Sequence, residues 1–425
     1  MKETNTPVAR AQPAPALTPQ ARRSWWRMFS ALRHRNYRLY WIGMLVAIIG
    51  WQIQFVAQGW LVYDLTRDPA MLGLVGMAQA VPTILLNLFG GVVADRVDRR
   101  KLLIFTQSVT GLLMLVLTLL VATELVQVWH ILAIAFLIGA VWAFDQPTRM
   151  ALVPHLVARD DLMNAVAMGS IVWQGSRVVG PSLAGVLIAT VGMAACFLLT
   201  TLGMLVMVGA LIAVRVPKVL APAATGNAVA ELFEGVRYVL TQPLFLTLIG
   251  MTFFNSLFGM SYVILMPALA RDVLGVGSEG YGFLMGAGGV GAVMGTLVVA
   301  ALGNFRRKGW LILGGAAAFG AFILLFSLSR WYLLSLGLLF LMGGVQALYM
   351  TTMQTALQTL VPDALRGRVM GLYSLTWSLM PLGGMVGGAV AVLAGTPFAV
   401  GLGGSFVLVM ALAMVRVSPQ VRRLS

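Results

Sequence analysis

Twelve long apolar runs recur along this 425-residue chain, at about 38–63, 71–94, 103–123, 128–147, 164–190, 193–214, 243–269, 280–302, 309–328, 331–355, 367–394 and 396–415. An α-helix rises 1.5 Å per residue, so about 20 apolar residues cross the ~30 Å hydrocarbon core of a bilayer. Lipid offers backbone N–H and C=O groups no partner, and a lone apolar run satisfies them only by coiling into a helix. With 59% hydrophobic and 10% charged residues and a mean hydropathy of +0.89, the chain lacks the polar surface that a water-soluble domain needs. The expected fold is all-α and integral to the membrane, with twelve transmembrane helices.

The net charge of +15 is distributed unevenly. Of 29 Lys and Arg, Arg67, Arg271 and Arg330 fall in one set of alternate loops and Arg177 lies within a span, which leaves 29 − 4 = 25 in the tails and the other loops. Basic loops stay on the cytoplasmic side, so both termini are expected there, in a bacterial-type inner membrane. No basic face carries the interleaved aromatics of nucleic-acid binding, which argues against that role. The lead-in Ala21 to Tyr40 mixes Arg22, Arg23, Arg27, Arg33, Arg35 and Arg38 with Trp25, Trp26, Phe29 and Tyr37, the pattern of a segment lying on anionic lipid. The first span is expected to be an uncleaved anchor, and the single Cys196 excludes an intrachain disulfide.

The chain repeats itself. A shift of 204 residues aligns Leu156 with Leu360, Val157 with Val361, Ser170 with Ser374, Trp173 with Trp377 and Gly180 with Gly384. A shift of 207 aligns Arg99, Arg100 and Lys101 with Arg306, Arg307 and Lys308. Parallel six-span repeats are a transporter design, with the substrate site near mid-membrane between the halves. The organisation expected is a tail and lead-in over 1–37, a six-helix bundle over 38–215, a cytoplasmic linker with an interfacial helix over 216–242, a second bundle over 243–416 and a tail over 417–425.

Between spans two and three, GGVVADRVDRRKLL sets two carboxylates among four cations, which the cost of charge in lipid confines to an interface. Gly91, Val93, Ala94, Asp95, Arg96, Arg99, Arg100 and Leu103 resemble the loop signature of the major facilitator superfamily, with Asp98 where that family usually has Gly. ALRHRNYRLYW, AQGWLVYDLT, DQPTRMALVP, RVVGPSLAG and ELFEGVRYV extend the likeness through nearly the whole chain. They resemble the enterobactin-exporter-like branch, also called the transmembrane secretion effector type. The resemblance implies two pseudo-symmetric six-helix bundles and proton-linked export of siderophores, macrolides or other drugs. It also implies that Gly91, Asp95, Arg96, Arg99 and Arg100, with Asp145 and Arg149, form a cytoplasmic gate. Asp95 is expected to meet the N-terminus of span eleven, whose partial positive charge favours an acid. A purely topological role for the loop is the alternative.

In span five, Gly180, Pro181, Ala184 and Gly185 resemble an antiporter signature, and they equally suit tight helix packing with a proline kink. Arg177 lies about 21 Å into that span, where a charge needs a cavity or a polar partner. It is expected either to face the substrate or to cap carbonyls within the first bundle. Polar stripes supply the rest of the candidate cavity: Trp51, Gln54 and Gln58 on span one, Gln79 with Thr83 and Asn87 on span two, Asn255 and Tyr262 on span seven, and Gln346 and Tyr349 on span ten; for each stripe alone, hydrogen bonding or packing between helices is the favoured reading, and their convergence argues for a cavity.

All fourteen acids lie in tails, loops or span ends, with Asp145 and Asp64 the nearest approach to a proton carrier. Asp145 is expected to pair with Arg149, one turn on, or with the signature-loop cations. A twelve-helix transporter follows, exporting an amphipathic organic compound by alternating access, with a small-molecule substrate, protons and membrane lipid as partners, no metal or cofactor, and a monomeric state. A lysophospholipid transporter or a solute importer is the nearest alternative. A membrane-embedded lipid enzyme is the rival from another class, though no His/Asp/Glu cluster or G-x-S-x-G elbow supports it.

Overall fold

The computed structural model describes residues 25–215, 228–303, 305 and 307–424. The first 24 residues and the Pro/Ala/Gly part of the linker lie outside it. Twelve helices are long and apolar enough to cross a membrane. Spans one to six are Arg35–Thr66, Pro69–Arg96, Arg99–Ala122, Val128–Leu152, Leu162–Thr190 and Met193–Ala213. A linker helix, Ala228–Thr241, precedes span seven at Pro243–Val273, which contains two π-helical turns at Asn255–Gly259 and Leu269–Val273. Spans eight, nine and ten are Ser278–Leu302, Lys308–Leu328 and Tyr332–Leu360. Span eleven is built from Asp363–Trp377 and Met380–Ala394, and span twelve is Thr396–Val417.

Local chemistry sets several of these ends. The Asp68 carboxylate accepts from Ala70 N at 2.8 Å at the start of span two. Asp98 accepts from Arg100 N at 3.0 Å and Lys101 N at 3.2 Å, so the residue that departs from the family signature is the N-cap of span three. Span four runs five residues beyond the 128–147 expected from sequence, because Pro147 lies inside the helix without breaking it. The carbonyl that Pro147 leaves without its helical donor, Ala143 O, is covered by span two: a Cβ on Gly90 would stand 2.1 Å from it. Pro181 likewise frees Arg177 O, which meets Gly289 of span eight. Small residues at these crossings let helices approach where a kink has exposed backbone.

Spans one to six pack mainly among themselves, as do seven to twelve, and the halves meet through span two against eleven and five against eight. The internal repeat is visible in this packing. Gly180 of span five sits on Gln52 of span one, and its repeat partner Gly384 of span eleven sits on Ile264 of span seven.

The seam between the halves is closed at one face only. The first described span begins and the last one ends on one face, and the opposite face is here called the far face. Near the far face a Cβ on Gly73 would come 2.4 Å from Met385 Cα. Gly91 lies on the same side of span two, 18 residues or about five turns further on, and a Cβ there would meet nothing within 4 Å. Spans two and eleven therefore diverge toward the termini, and the molecule is open on that side.

Candidate functional site

A cavity of about 430 Å³ lies between the halves, walled by spans one, two, four, seven, eight and eleven. Its aromatic wall starts from Trp51, which stacks on Trp142 with ring centroids 5.4 Å apart and planes 15° from parallel. Trp173 stands edge-on to both, at 5.8 and 6.3 Å. Phe55 and Trp377 line the same space. The polar wall is made of amides: Gln54 Nε2 donates to Gln58 Oε1 at 3.2 Å, one helical turn apart, and Gln79 faces them from span two. Thr83 Oγ1 lies 2.8 Å from both Gln79 O and Gly139 O, tying span two to span four beneath that wall. Gln54 Oε1 is buried and has no donor among the described residues. No charged side chain lines this space among the described residues. Such a surface suits a bulky, mostly apolar molecule that offers a hydrogen-bond donor.

The far face is roofed by contacts that cross the seam. Arg271 pairs with Asp64, Tyr63 hydrogen-bonds Asp272, and Trp60 stacks on Tyr281 at 5.7 Å. The Arg271 guanidinium also lies 5.5 Å over the Trp60 ring.

The residues expected from sequence to form the cavity divide into three groups. Trp51, Gln54, Gln58 and Gln79 line it. Asn255, Tyr262, Gln346 and Tyr349 do not; they are buried in the second half, where Tyr349 Oη donates to Asn255 Oδ1 at 2.6 Å and Gln346 Nε2 reaches Met260 Sδ at 2.7 Å. Tyr262 packs edge-on to Phe319 and Phe326. Polar spacing identified these stripes, but in three dimensions they turn to partners in their own bundle, with Asn255 Nδ2 left buried and without one among the described residues. Arg177 is the third case: its side chain is exposed, makes no hydrogen bond or ion pair among the described residues, and lies within electrostatic range of Tyr262. It sits one turn beyond Trp173, between the faces of span five that pack on spans one and eight, and so points into the gap between the halves. It is absent from the lining of the amide and tryptophan cavity.

The signature-loop cations bind their own half in this open state. Arg99 Nη1 meets His155 Nε2 at 2.6 Å and Ala151 O at 3.3 Å. Arg100 donates to Leu211 O and Ile212 O, each at 2.6 Å, and Arg96 is exposed. The Asp95 side chain lies outside the described residues. Asp145 and Arg149 form an ion pair buried inside the first bundle. Gly180, Pro181, Ala184 and Gly185 are all buried, Gly180 against span one, Pro181 and Gly185 against span eight, and Ala184 O beside Cys196 of span six. Sequence reasoning passed over Trp142, Phe55 and Tyr281. Nothing marked them, since an aromatic in an apolar run reads as lipid-facing or core. Trp173 and Trp377 did carry a signal, as repeat partners, and Arg271 carried another, as one of three cations against the charge rule.

The chain matches the transmembrane secretion effector family over residues 27–423. It belongs to that family of the major facilitator superfamily. It is accordingly a multi-pass secondary transporter of a small-molecule substrate, and not an enzyme. Among curated relatives, the enterobactin exporter EntS of Escherichia coli O1:K1 is 27% identical over 367 residues, which is 83% of this chain and 84% of the relative. EntS of Shigella boydii serotype 4 (strain Sb227) matches to the same extent. The fold is shared with a bacterial homologue of the human lysosomal transporter Spinster, inward-facing and occupied, with a TM-score of 0.71 at 13% identity over 94% of this chain and 99% of the other. A POT family transporter in complex with 5-aminolevulinic acid gives a TM-score of 0.72 at 12% identity, over 91% and 96%.

Proposed function

We propose that this transporter exports a bulky, amphipathic organic compound, of drug or siderophore type, from the cytoplasm across a bacterial inner membrane in exchange for protons. The observation that carries the reading is the composition of the central cavity. Trp51, Trp142, Trp377 and Phe55 supply its aromatic surface and Gln54, Gln58 and Gln79 its amides, a surface that takes up aromatic and polar parts of one molecule without demanding a fixed geometry. Opening toward the termini fits loading from the cytoplasm, given the 25 cations on that side, and the Asp64–Arg271 contact fits a seal against the exterior. The relatives named as enterobactin exporters support the direction. Arg177, with no hydrogen bond or ion pair among the described residues, supplies a cation for an anionic or catechol-like group on the way in.

The test is accumulation of a panel of aromatic antibiotics and catecholate siderophores in cells with and without the protein. Lower accumulation of at least one compound with the protein present is expected. That difference should vanish when a protonophore collapses the proton gradient at constant ATP. Export that persists under the protonophore would exclude proton coupling, and equal accumulation across the panel would exclude this substrate class.

A further inference from the structure

Proton exchange needs a group that holds the proton inside the membrane, and the substrate cavity contains no carboxylate among its described lining residues. A second, much smaller space of about 20 Å³ lies behind the tryptophan wall. Trp51 and Trp142 line both spaces, and Trp173 lines the smaller one. Asp145 and Arg149 face this inner space together with Gln107. Asp145 is 1% exposed, although it is about seven residues, or ~10 Å, from the end of span four. A volume of this size is enough for one water molecule.

Every hydrogen-bond contact of the Asp145 carboxylate is with a group able to donate. Thr106 Oγ1 donates at 2.7 Å, Gln107 Nε2 at 2.7 Å, and Arg149 Nε completes the set. The Arg149 guanidinium gives an ionised carboxylate a counter-ion, and Thr106 Oγ1, which also lies 3.1 Å from Leu103 O, can turn to accept the O–H of a protonated one, so the site accommodates both forms. The other titratable group packed against the pair is Tyr40 of span one, beside the Arg149 guanidinium. Span three contributes neutral Thr106, Gln107 and Thr110, and spans five and six contribute Trp173 and Met204. Two further polar atoms are buried without a protein partner here, Arg149 Nη1 and Gln107 Oε1: one donor and one acceptor, the pair a bridging water requires.

We propose that Asp145 is the carboxylate that carries the coupling proton, reached from the substrate cavity through the tryptophan wall that the two spaces share. This rests on the proton-coupled reading above. When the outer side opens, Asp145 takes a proton from the exterior and becomes a neutral acid. Arg149 keeps its charge, loses its counter-ion and must find new partners among the carbonyls and hydroxyls of spans one and three. When the inner side opens, the proton leaves to the cytoplasm and the ion pair re-forms as the structure shows it. A buried guanidinium alternately paired and unpaired gives span four two arrangements, which a conformational cycle needs. The adjoining tryptophans let an occupant of the large cavity bear on the same element.

The test reads conformation directly and needs no substrate. Glu124→Cys and Arg330→Cys, exposed at the far face on opposite halves, carry spin labels in a Cys196→Ala background, with the full chain in lipid nanodiscs. In the parent protein, acid should lengthen the far-face distance, the ratio of the two states changing by up to about tenfold per pH unit for one proton. Asp145→Asn should abolish this dependence and hold the distribution the parent reaches in acid. Because that variant leaves Arg149 unpaired, Asp145→Asn with Arg149→Gln is made in parallel; it removes both charges and should fold and be equally indifferent to pH. A folded Asn variant that follows pH as the parent does would overturn the proposal, as would a parent with no pH response. Loss of the response in His155→Gln, with Asp145→Asn still responsive, would place the proton on that ring instead. Transport of rhodamine 6G in proteoliposomes reports on the exporter reading separately: absence of transport with the pH response intact would reject rhodamine-like cargo and leave the role of Asp145 standing.

Discussion

Arg271 of span seven holds Asp64 of span one across the seam between the halves, and its guanidinium lies 5.5 Å above the ring of Trp60 on the same span. Contacts so placed exist only while the far face is shut. Asp64 is 37% exposed, so solvent limits the pair to at most about 1 kcal/mol. Asp64→Asn should therefore shift the population toward the far-face-open state by up to about fivefold. Labelling of Leu72→Cys by an impermeant maleimide applied from the far face would accelerate accordingly. Unchanged labelling would mean that Trp60, Tyr281 and the helix seam close the face without the ion pair.

The seam itself yields a steric prediction of opposite sign at two positions. Gly73→Ala places a Cβ 2.4 Å from Met385 Cα, closer than non-bonded carbons approach, so the closed far face cannot form unchanged. Each bundle is untouched by the change. The protein should fold, favour the outward-open state and lose transport by about tenfold or more, as expected when one state is raised by 1.4 kcal/mol or more. Gly91→Ala has open space in the inward-open state and should retain or enrich it. Distance distributions from far-face spin labels distinguish the two.

Arg177 makes no hydrogen bond or ion pair with the described residues, and this separates its two readings. Arg177→Met should leave thermal stability unchanged or raised, because no contact is lost and a charge is removed from the membrane interior. Affinity for an anionic or catechol-bearing substrate should fall, with Arg177→Lys intermediate if the planar fork matters. A drop in stability with affinity intact would identify a structural arginine.

Asp98 stands at a position where the family commonly has Gly, and it caps span three through two backbone N–H groups. Asp98→Ala should cost about 1 kcal/mol, whereas Asp98→Gly should cost only a few tenths, because glycine tolerates the cap position. Thermal unfolding of the two variants in detergent checks the order. Equal losses would show that the cap bond contributes little here.

Twelve spans, the repeat and the superfamily were legible in sequence because each depends on local composition or on residue-to-residue pattern. Lipid admits one way of satisfying the backbone of a long apolar run, and the charge cluster at Asp95–Lys101 cannot lie in hydrocarbon, so neither reading needed a structure. The first-half cavity residues Trp51, Gln54, Gln58 and Gln79 were legible for a similar reason: polar side chains at helical spacing share a face. The same spacing misled at Asn255 and Tyr349, which bond each other inside their own bundle. Helical periodicity states which residues share a face, and only tertiary packing states what that face meets. The tryptophan wall, the far-face contact of Asp64 with Arg271 and the burial of Asp145 behind Trp51 and Trp142 all join residues from different spans. Their separations along the chain carry no signal in a single sequence, and the open side of the seam depends on how two nearly rigid bundles tilt, which no local preference encodes.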